Sequence, residues 1–493
     1  MLNYLTLQLL PQHLRQQPPN FGVQLMNNVQ DISSTMSSSE KRAIGSLAGV
    51  YALRMLGLFM ILPVLSLFAK ELDGATPALI GLAMSIYGLP QVVLQIPFGL
   101  MSDKFGRKKM IVIGLILFFV GSVVAALSND IYGVLIGRGL QGVGAISAVI
   151  MALVADLTQE IHRTKAMATI GVSIGMSFGG GIVAGPIIAA AFGGVQGVFW
   201  TTAFLTLLAI AAVIFIVPNP EKSKLHRDAE FVPNAAMTAL KNPELLRLDY
   251  GIFILHLILM AIFVVVPSLM RDAGLEKGNE WHVYLPVFVG SMALIIPFII
   301  LAEKKRQMKK VFLGAIATLA ISAIGFTFAH ENLVTLIVFL SVFFCGFNLL
   351  EATLPSLVSK TAPADLKGTA MGAYSSSQFL GLFFGGVVGG WFNGEFGVTA
   401  VFLVCAVLAL SWFAVSFFMA EPRYLGSLLI SIEAMSKGDA ELFVSEILTL
   451  EGVAEAILHH EEAVLYLKVD NHVVNKENLQ ALINKHIRVY QPI

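Results

Sequence analysis

The chain has 493 residues, 56% of them hydrophobic and only 13% charged, with a mean hydropathy of +0.78. A water-soluble chain with so few charges cannot cover its own surface, so lipid is the solvent for most of it. Lys plus Arg and Asp plus Glu each number 32, and this zero net charge excludes any bulk electrostatic case for nucleic-acid binding. Cys345 and Cys405, the two cysteines, both lie in apolar runs and provide neither a disulfide framework nor a cysteine-based metal site.

Residues 1–40 are rich in Gln, Asn and Ser and lack an apolar core, so they read as a disordered extension rather than a cleavable signal peptide. Met36, followed by Ser-Ser-Ser-Glu-Lys-Arg, is a candidate translation start, which would leave residues 1–35 untranslated. Apolar runs of roughly 18 to 28 residues then recur, each long enough to cross a hydrocarbon core of about 30 Å as a helix. Twelve are expected: Ile44–Leu72, Pro77–Met101, Met110–Leu127, Ile131–Leu157, Lys165–Phe192, Val195–Val217, Leu248–Met270, Trp281–Leu301, Val311–His330, Leu333–Val358, Leu366–Phe392 and Val398–Met419. The longest polar interruption, Pro218–Arg247, carries Lys222, Lys224, His226 and Arg227 and divides them six plus six. The expected organisation is therefore a bundle over 41–218, a central loop over 219–246, a second bundle over 247–421 and a soluble domain over 427–493.

The basic residues of the short loops fall on one side: Lys41 and Arg42, Lys104 to Lys109, Arg163 and Lys165, Lys304 to Lys310, then Lys360 and Lys367. Lys70, Arg271 and Lys277 fall on the other. The positive-inside rule places both termini and the central loop in the cytoplasm. Internal repetition is also legible. Segment five opens Lys165-Ala166-Met167 and runs into glycines, while segment eleven opens Lys367-Gly368-Thr369-Ala370-Met371 and does the same. Segments one and seven each place a basic side chain, Arg54 or His256, ahead of a proline, Pro63 or Pro267. Such repeats predict two bundles around a midplane cavity.

Past Met419 the pattern becomes that of a soluble domain. Leu428, Ile430 and Ile432 share a strand face, Asp439–Leu450 carries the helical stripe Leu442, Phe443 and Ile447, and Val453–Leu458 with Ala463–Val469 reads as a hairpin. A second helix, Lys476–Lys485, is capped by Asn475 and buries Leu479, Leu482 and Ile483, and Ile487–Tyr490 supplies a last strand. This βαββαβ order is the ferredoxin-like arrangement. His459-His460-Glu461-Glu462 falls at the hairpin tip, where solvated residues belong, and no metal site is expected there.

The loop after segment two reads Gly99-Leu100-Met101-Ser102-Asp103-Lys104-Phe105-Gly106-Arg107-Lys108-Lys109. Glycines permit a tight turn between two membrane helices, and a carboxylate among cations can adopt two pairings. This stretch resembles the loop signature of the major facilitator superfamily, with Lys104 where an Arg is usual, which loses a bidentate fork. Arg138-Gly139-Leu140-Gln141-Gly142-Val143-Gly144 is similar to that superfamily's conserved-arginine motif, and Gly181 with Gly185-Pro186 to the signature of its antiporter branch. The resemblance runs from about Met36 and extends to members with twelve helices and a ferredoxin-like cytoplasmic tail. It implies that Gly99, Asp103, Gly106 and Arg107 join Asp156 of segment four, against the start of segment eleven, in a cytoplasmic latch holding the outward-open state.

Ionisable groups inside the spans cost about 2.5–3.5 kcal/mol each at a helix centre on insertion scales, so they mark function or a specific structural partner. Segments one, four, seven and ten each contain one: Arg54, Arg138, His256 and Glu351. Glu351 reads as the carboxylate well inside a span, and a desolvated acid is a candidate proton carrier. His256 is the second candidate, because imidazole titrates near neutrality, although a packed histidine is the blander reading. Arg54 and Arg138 serve equally well as partners for backbone carbonyls. Gln91, Gln95, Gln141, Asn348 and Gln378 are candidate polar contacts to substrate in the cavity.

The expectation is a proton-coupled secondary transporter, an antiporter exporting drug-like or amphipathic small molecules by alternating access. Its partners would be protons, a small-molecule substrate and the lipid bilayer, with self-association through the tail and no cofactor. The alternatives are a nutrient or metabolite symporter and a transport-derived sensor signalling through the tail. No nucleophile and base occur at catalytic spacing, so an enzyme is not expected.

Overall fold

The computed structural model describes residues 36–220, 241–363, 366–421, 425–431, 437–459, 464–470 and 473–489. The expected N-terminal extension up to residue 35 and the basic cluster Lys222–Arg227 lie outside these residues. The first bundle comprises α1 (Ser38–Phe68), α2 (Pro77–Ser85), α3 (Gly88–Phe105), α4 (Arg107–Leu127), α5 (Ile131–Val143), α6 (Ser147–Asp156), α7 (Glu160–Ala191) and α8 (Val195–Phe215). The second comprises α9 (Pro243–Asp272), α10 (Trp281–Lys304), α11 (Met308–Phe328), α12 (Leu333–Thr361), α13 (Lys367–Phe396) and α14 (Val398–Phe417).

Local chemistry fixes where several of these helices begin. Ser37 and Glu40 form a reciprocal capping box at α1: the Ser37 hydroxyl accepts from the Glu40 N–H at 3.1 Å and the Glu40 carboxylate accepts from the Ser37 N–H at 2.8 Å. Thr76, Asp130, Asn242 and Asn332 cap α2, α5, α9 and α12 through their side-chain oxygens. The second and fourth segments are each interrupted, α2 giving way to α3 at Ile86–Tyr87 and α5 to α6 at Gly144–Ile146. With each interrupted pair taken as one span, eleven of the described helices are long and apolar enough to cross a membrane. The expected twelfth, over Leu366–Phe392, is the helix α13. Its glycines and polar residues lower its apolarity, and its place is against α9 and α2.

The apolarity that α13 gives up is exchanged for close packing. A Cβ at Gly381 would meet the Phe253 carbonyl at 2.2 Å, and one at Gly385 the Leu257 carbonyl at 2.3 Å, so only glycine lets α13 lie this near α9. Gly181 and Gly185 of α7 make the corresponding approach to Phe59 and Met60 of α1. Matching pairs recur elsewhere: α1 with α7 and α9 with α13, α4 with α8 and α11 with α14, and across the bundles α7 with α10 and α13 with α2. These equivalent pairings are what two parallel repeats generate.

After α14 come β1 (Gly426–Ser431), α15 (Lys437–Leu448), β2 (Val453–His459), β3 (Val464–Val469) and α16 (Lys476–Val489). The three strands form an antiparallel sheet in the order β1-β3-β2, with Leu428 opposite Leu467 and Ala456 opposite the same residue. Phe443, Ile447, Leu465, Leu467, Leu479 and Ile483 form its core, with Leu428, Ile430 and Leu482 packed against them. The expected cap is present: Asn475 Oδ1 accepts from the N–H groups of Glu477 and Asn478 at 2.9 and 3.2 Å. Two expectations fail here. Leu442 is 55% exposed and lies off the buried stripe, since Phe443 and Ile447, four apart, set the inward face. The last strand is absent among the described residues, because α16 continues through Ile487 to Val489, so the ferredoxin-like order is described only as βαββα. Ile432 and residues 460–463 of the hairpin tip lie outside the described residues.

The sheet is anchored to the membrane part. The buried Lys468 ammonium of β3 donates to the backbone carbonyls of Lys360, at 2.6 Å, and Ala362 at the end of α12. Arg306 Nη2, between α10 and α11, donates to both carboxylate oxygens of Asp470 at 3.0 and 3.1 Å. The tail therefore sits on the face that carries the basic loops around Arg306 and Lys360, and the opposite side is referred to as the far face.

Candidate functional site

The two buried arginines occupy the helix interruptions. Arg54 Nη2 donates to the Gly144 carbonyl at 3.0 Å, and Ser147 Oγ accepts from Arg54 Nη1 at 3.4 Å and from the Tyr51 hydroxyl at 2.9 Å. Arg138 donates to the carbonyls of Ala83 and Met84, at 3.1 and 2.7 Å, where α2 ends. Its Nη1 reaches Gln141 Oε1 at 2.8 Å, and Gln141 Nε2 passes the chain on to Ser122 at 2.9 Å. Each guanidinium also lies over a ring, Arg138 above Tyr87 at 4.4 Å and Arg54 above Phe118 at 5.5 Å. A broken helix in a membrane leaves carbonyls without donors, and a forked cation supplies several donors at once. The geometry fits the carbonyl-partner reading of Arg54 and Arg138, and it leaves Gln141 fully buried in their support.

Three other expected residues meet between α9, α12 and α13. His256 Nδ1 lies 3.3 Å from the Ile252 carbonyl and Nε2 lies 2.8 Å from Gln378 Nε2. If Nδ1 carries the proton and donates to Ile252, Nε2 is left as the acceptor for the Gln378 amide. Glu351 Oε2 approaches the same Nε2 at 3.7 Å, an ion pair only when the imidazole is charged, and has no hydrogen-bond partner among the described residues. The Glu351 side chain keeps 36% of its surface accessible although it lies in mid-helix and points toward α9, so the space between the helices is open at this level. A carboxylate, an imidazole and an amide in this arrangement can hold and hand over one proton.

The loop cluster expected as a latch is assembled within the first bundle. Arg107 Nη1 meets Asp103 at 2.5 Å and Ser102 Oγ at 2.7 Å, and its Nε meets Asp156 Oδ2 at 3.1 Å. Gly106 makes the turn between α3 and α4 at φ +96°, a conformation that side-chain-bearing residues avoid. Gly99 lies against Ala148 of α6. Pro186 sits inside α7, which continues to Ala191.

The remaining polar candidates are buried. Gln91 has no partner on either amide atom among the described residues, and neither does Gln95 Oε1, whereas Asn348 donates to Ser291 Oγ at 2.9 Å. Buried amides without partners mark places where water or a ligand completes the bonding. The sequence reading missed Ser102, five residues from Arg107, and Tyr51 and Ser147, which meet across 96 positions of chain, a pairing that no spacing announced. It also missed Asp249, whose place in α9 two helical turns before His256 is a period-seven signal.

The family model described as Major Facilitator Superfamily matches residues 47–386 and 309–450. The Inner membrane transport protein YajR of Escherichia coli (strain K12) is 46% identical over 450 residues, which is 91% of this chain and 99% of that one. Multidrug resistance protein 2 of Bacillus subtilis (strain 168) is 26% identical over 349 residues, covering 68% and 84%. Among solved structures, the human organic anion transporter MFSD10 (TETRAN) superposes with a TM-score of 0.56 at 19% identity, covering 77% of this chain and all of that one, a likeness of fold alone.

Proposed function

This chain belongs to the major facilitator superfamily, a multi-pass membrane transporter family, and from that premise we infer that it is a proton-coupled antiporter exporting amphipathic small molecules by alternating access. The observation that carries the reading is Glu351, an inward-pointing carboxylate in mid-helix within 3.7 Å of His256. Gln378 ties the imidazole in place. Inward proton movement supplies about 2.3 kcal/mol per charge per 100 mV, which drives a rocking cycle when proton and substrate compete for one carboxylate.

The basic loops and the tail share one face, which the positive-inside rule makes cytoplasmic, in a bacterial inner membrane like that of the Escherichia coli relative. Asp103, Arg107 and Asp156 act as the latch that biases the cycle, and α13 completes twelve spans. Export of drug-like compounds is supported by the Bacillus subtilis relative's name. The test is ethidium-driven proton movement in proteoliposomes. Glu351→Gln should abolish it, and unchanged flux would remove Glu351 from the coupling step.

A further inference from the structure

Phe178 of α7 is a first-bundle ring set among rings of the second. Its centroid lies 5.1 Å from Phe59 of its own bundle, and 6.4, 6.1, 6.0 and 5.7 Å from Phe263, Phe288, Phe344 and Phe347. Those four rings come from α9, α10 and α12 and also touch one another: Phe344 lies 6.4 Å from Phe263, 6.5 Å from Phe288 and 6.2 Å from Phe347. Tyr284 closes the cup by stacking on Phe263 at 6.0 Å, and its buried hydroxyl has no hydrogen-bond partner among the described residues. The bundles are pressed together here, since a Cβ at Gly179 would meet the Phe288 ring at 2.1 Å.

The position of this cup gives it a role. Phe263 follows His256 by two helical turns in α9 and Phe347 precedes Glu351 by one in α12, so the rings lie between the Glu351 level and the far face. The Phe347 ring is 5.9 Å from the His256 ring. Beyond the cup, Lys277 pairs with Glu71 and lies 3.8 Å over the Phe68 ring, again joining second bundle to first. The far side is thus shut in two layers, one of rings and one of charge.

Alternating access requires the bundles to part at this level when the far side opens. Phe178 moves with the first bundle and its four partners with the second, so parting withdraws one phenyl ring and leaves a slot of that shape, walled by aromatic faces with one unpaired hydroxyl. We propose that Phe178 is both the far-side plug and an internal stand-in for cargo: the slot it vacates receives a single aromatic ring of the transported compound. This deepens the transporter reading and rests on its alternating access, not on proton coupling. Offset and edge-on ring contacts favour a flat aromatic group over an alkyl chain of similar size.

The test uses the full chain with Cys345→Ser and Cys405→Ser and a single Phe347→Cys, in vesicles that expose the far face to a membrane-impermeant maleimide. With Phe178 intact, labelling should be slow and should be slowed further by benzylammonium, while n-hexylammonium has little effect. Phe178→Ala should label several-fold faster, and the purified variant should gain thermal stability with toluene to a greater extent than the Phe178 protein, because an apolar ring-sized void takes up such ligands. Phe178→Leu, which keeps most of the volume, should retain slow labelling but lose the toluene response, and it serves where the alanine variant fails to fold. Equal protection by the alkyl amine, in the Phe178 protein or in Phe178→Leu, or labelling of Phe178→Ala no faster than with Phe178 intact, would overturn the proposal. The toluene response of Phe178→Ala needs neither charge nor turnover, so it reports the ring slot separately from the Glu351-dependent proton movement, and failure of the one is distinguished from failure of the other.

Discussion

Lys468 places its ammonium on the carbonyls of Lys360 and Ala362, and so a side chain of the soluble sheet closes the end of α12, the helix that holds Glu351. The last carbonyls of a helix have no partners within it and carry the negative end of its dipole, which makes a buried lysine there a strong and specific dock. Charge-assisted hydrogen bonds of this kind contribute about 1.5–3 kcal/mol. Lys468→Met should release the sheet from the membrane part. Hydrogen exchange should then speed up around Arg306 and Ala362 while the sheet keeps its own protection, and exchange identical to the parent would show that the dock does not depend on this ammonium.

Asp156 and Arg107 form a buried pair at the tail side of the first bundle. Asp156→Asn removes the buried carboxylate of the pair and leaves the Arg107 guanidinium with the partly exposed Asp103 as a charged partner, so the desolvated half of the network is lost. Asp156→Asn should lower the thermal unfolding temperature in detergent clearly more than Asp103→Asn does, because the Asp103 carboxylate is partly exposed. Equal effects would mean that the network is not centred on Asp156.

Arg138→Lys tests the carbonyl clamp. A lysine keeps the charge but cannot fork to Ala83, Met84 and Gln141 together, and each buried acceptor left bare costs about 1–3 kcal/mol. The variant should unfold at lower temperature whether or not a proton gradient is present. A stable variant with altered proton flux alone would favour a coupling role over the structural one.

Glu280, at the far-face rim before α10, gives a pH signature. It is fully buried, one oxygen accepts from the Gly278 N–H at 2.9 Å and the other has no partner among the described residues. Desolvation pushes its carboxyl above the ordinary range, against the opposing Gly278 N–H and the charges of Lys277 and Arg271, while the Tyr284 ring lies one turn further on. Such an acid contributes stability that is complete below the unfolded value of about 4.3 and is lost as pH rises through the higher folded value. Glu280→Gln should remove this loss, so the variant's stability relative to the parent should grow as pH rises above the unfolded carboxyl value. A difference independent of pH would show that Glu280 does not ionise in this range.

Hydropathy period and loop charge made the membrane helices readable, because each must satisfy its own backbone and bury an apolar length set by the bilayer. The loop from Gly99 to Lys109 was readable for a similar reason: a turn between two spans needs glycine, and its charges are neighbours along the chain. The strand expected at Ile487–Tyr490 was not, since four residues of mixed pattern suit a helix end equally well and packing decides between them.

Sequence alone named Arg54, Arg138, His256 and Glu351 as ionisable groups in oil, because a charge deep inside an apolar run is visible without coordinates, whereas Asp249 at the edge of its run was passed over. Only the tertiary structure separated the two arginines, engaged with carbonyls at helix breaks, from Glu351 and His256, which lie within 3.7 Å of each other. It alone brought Phe178 among the rings of the other bundle, since phenylalanines are abundant in every span and which of them touch is set by how distant helices pack.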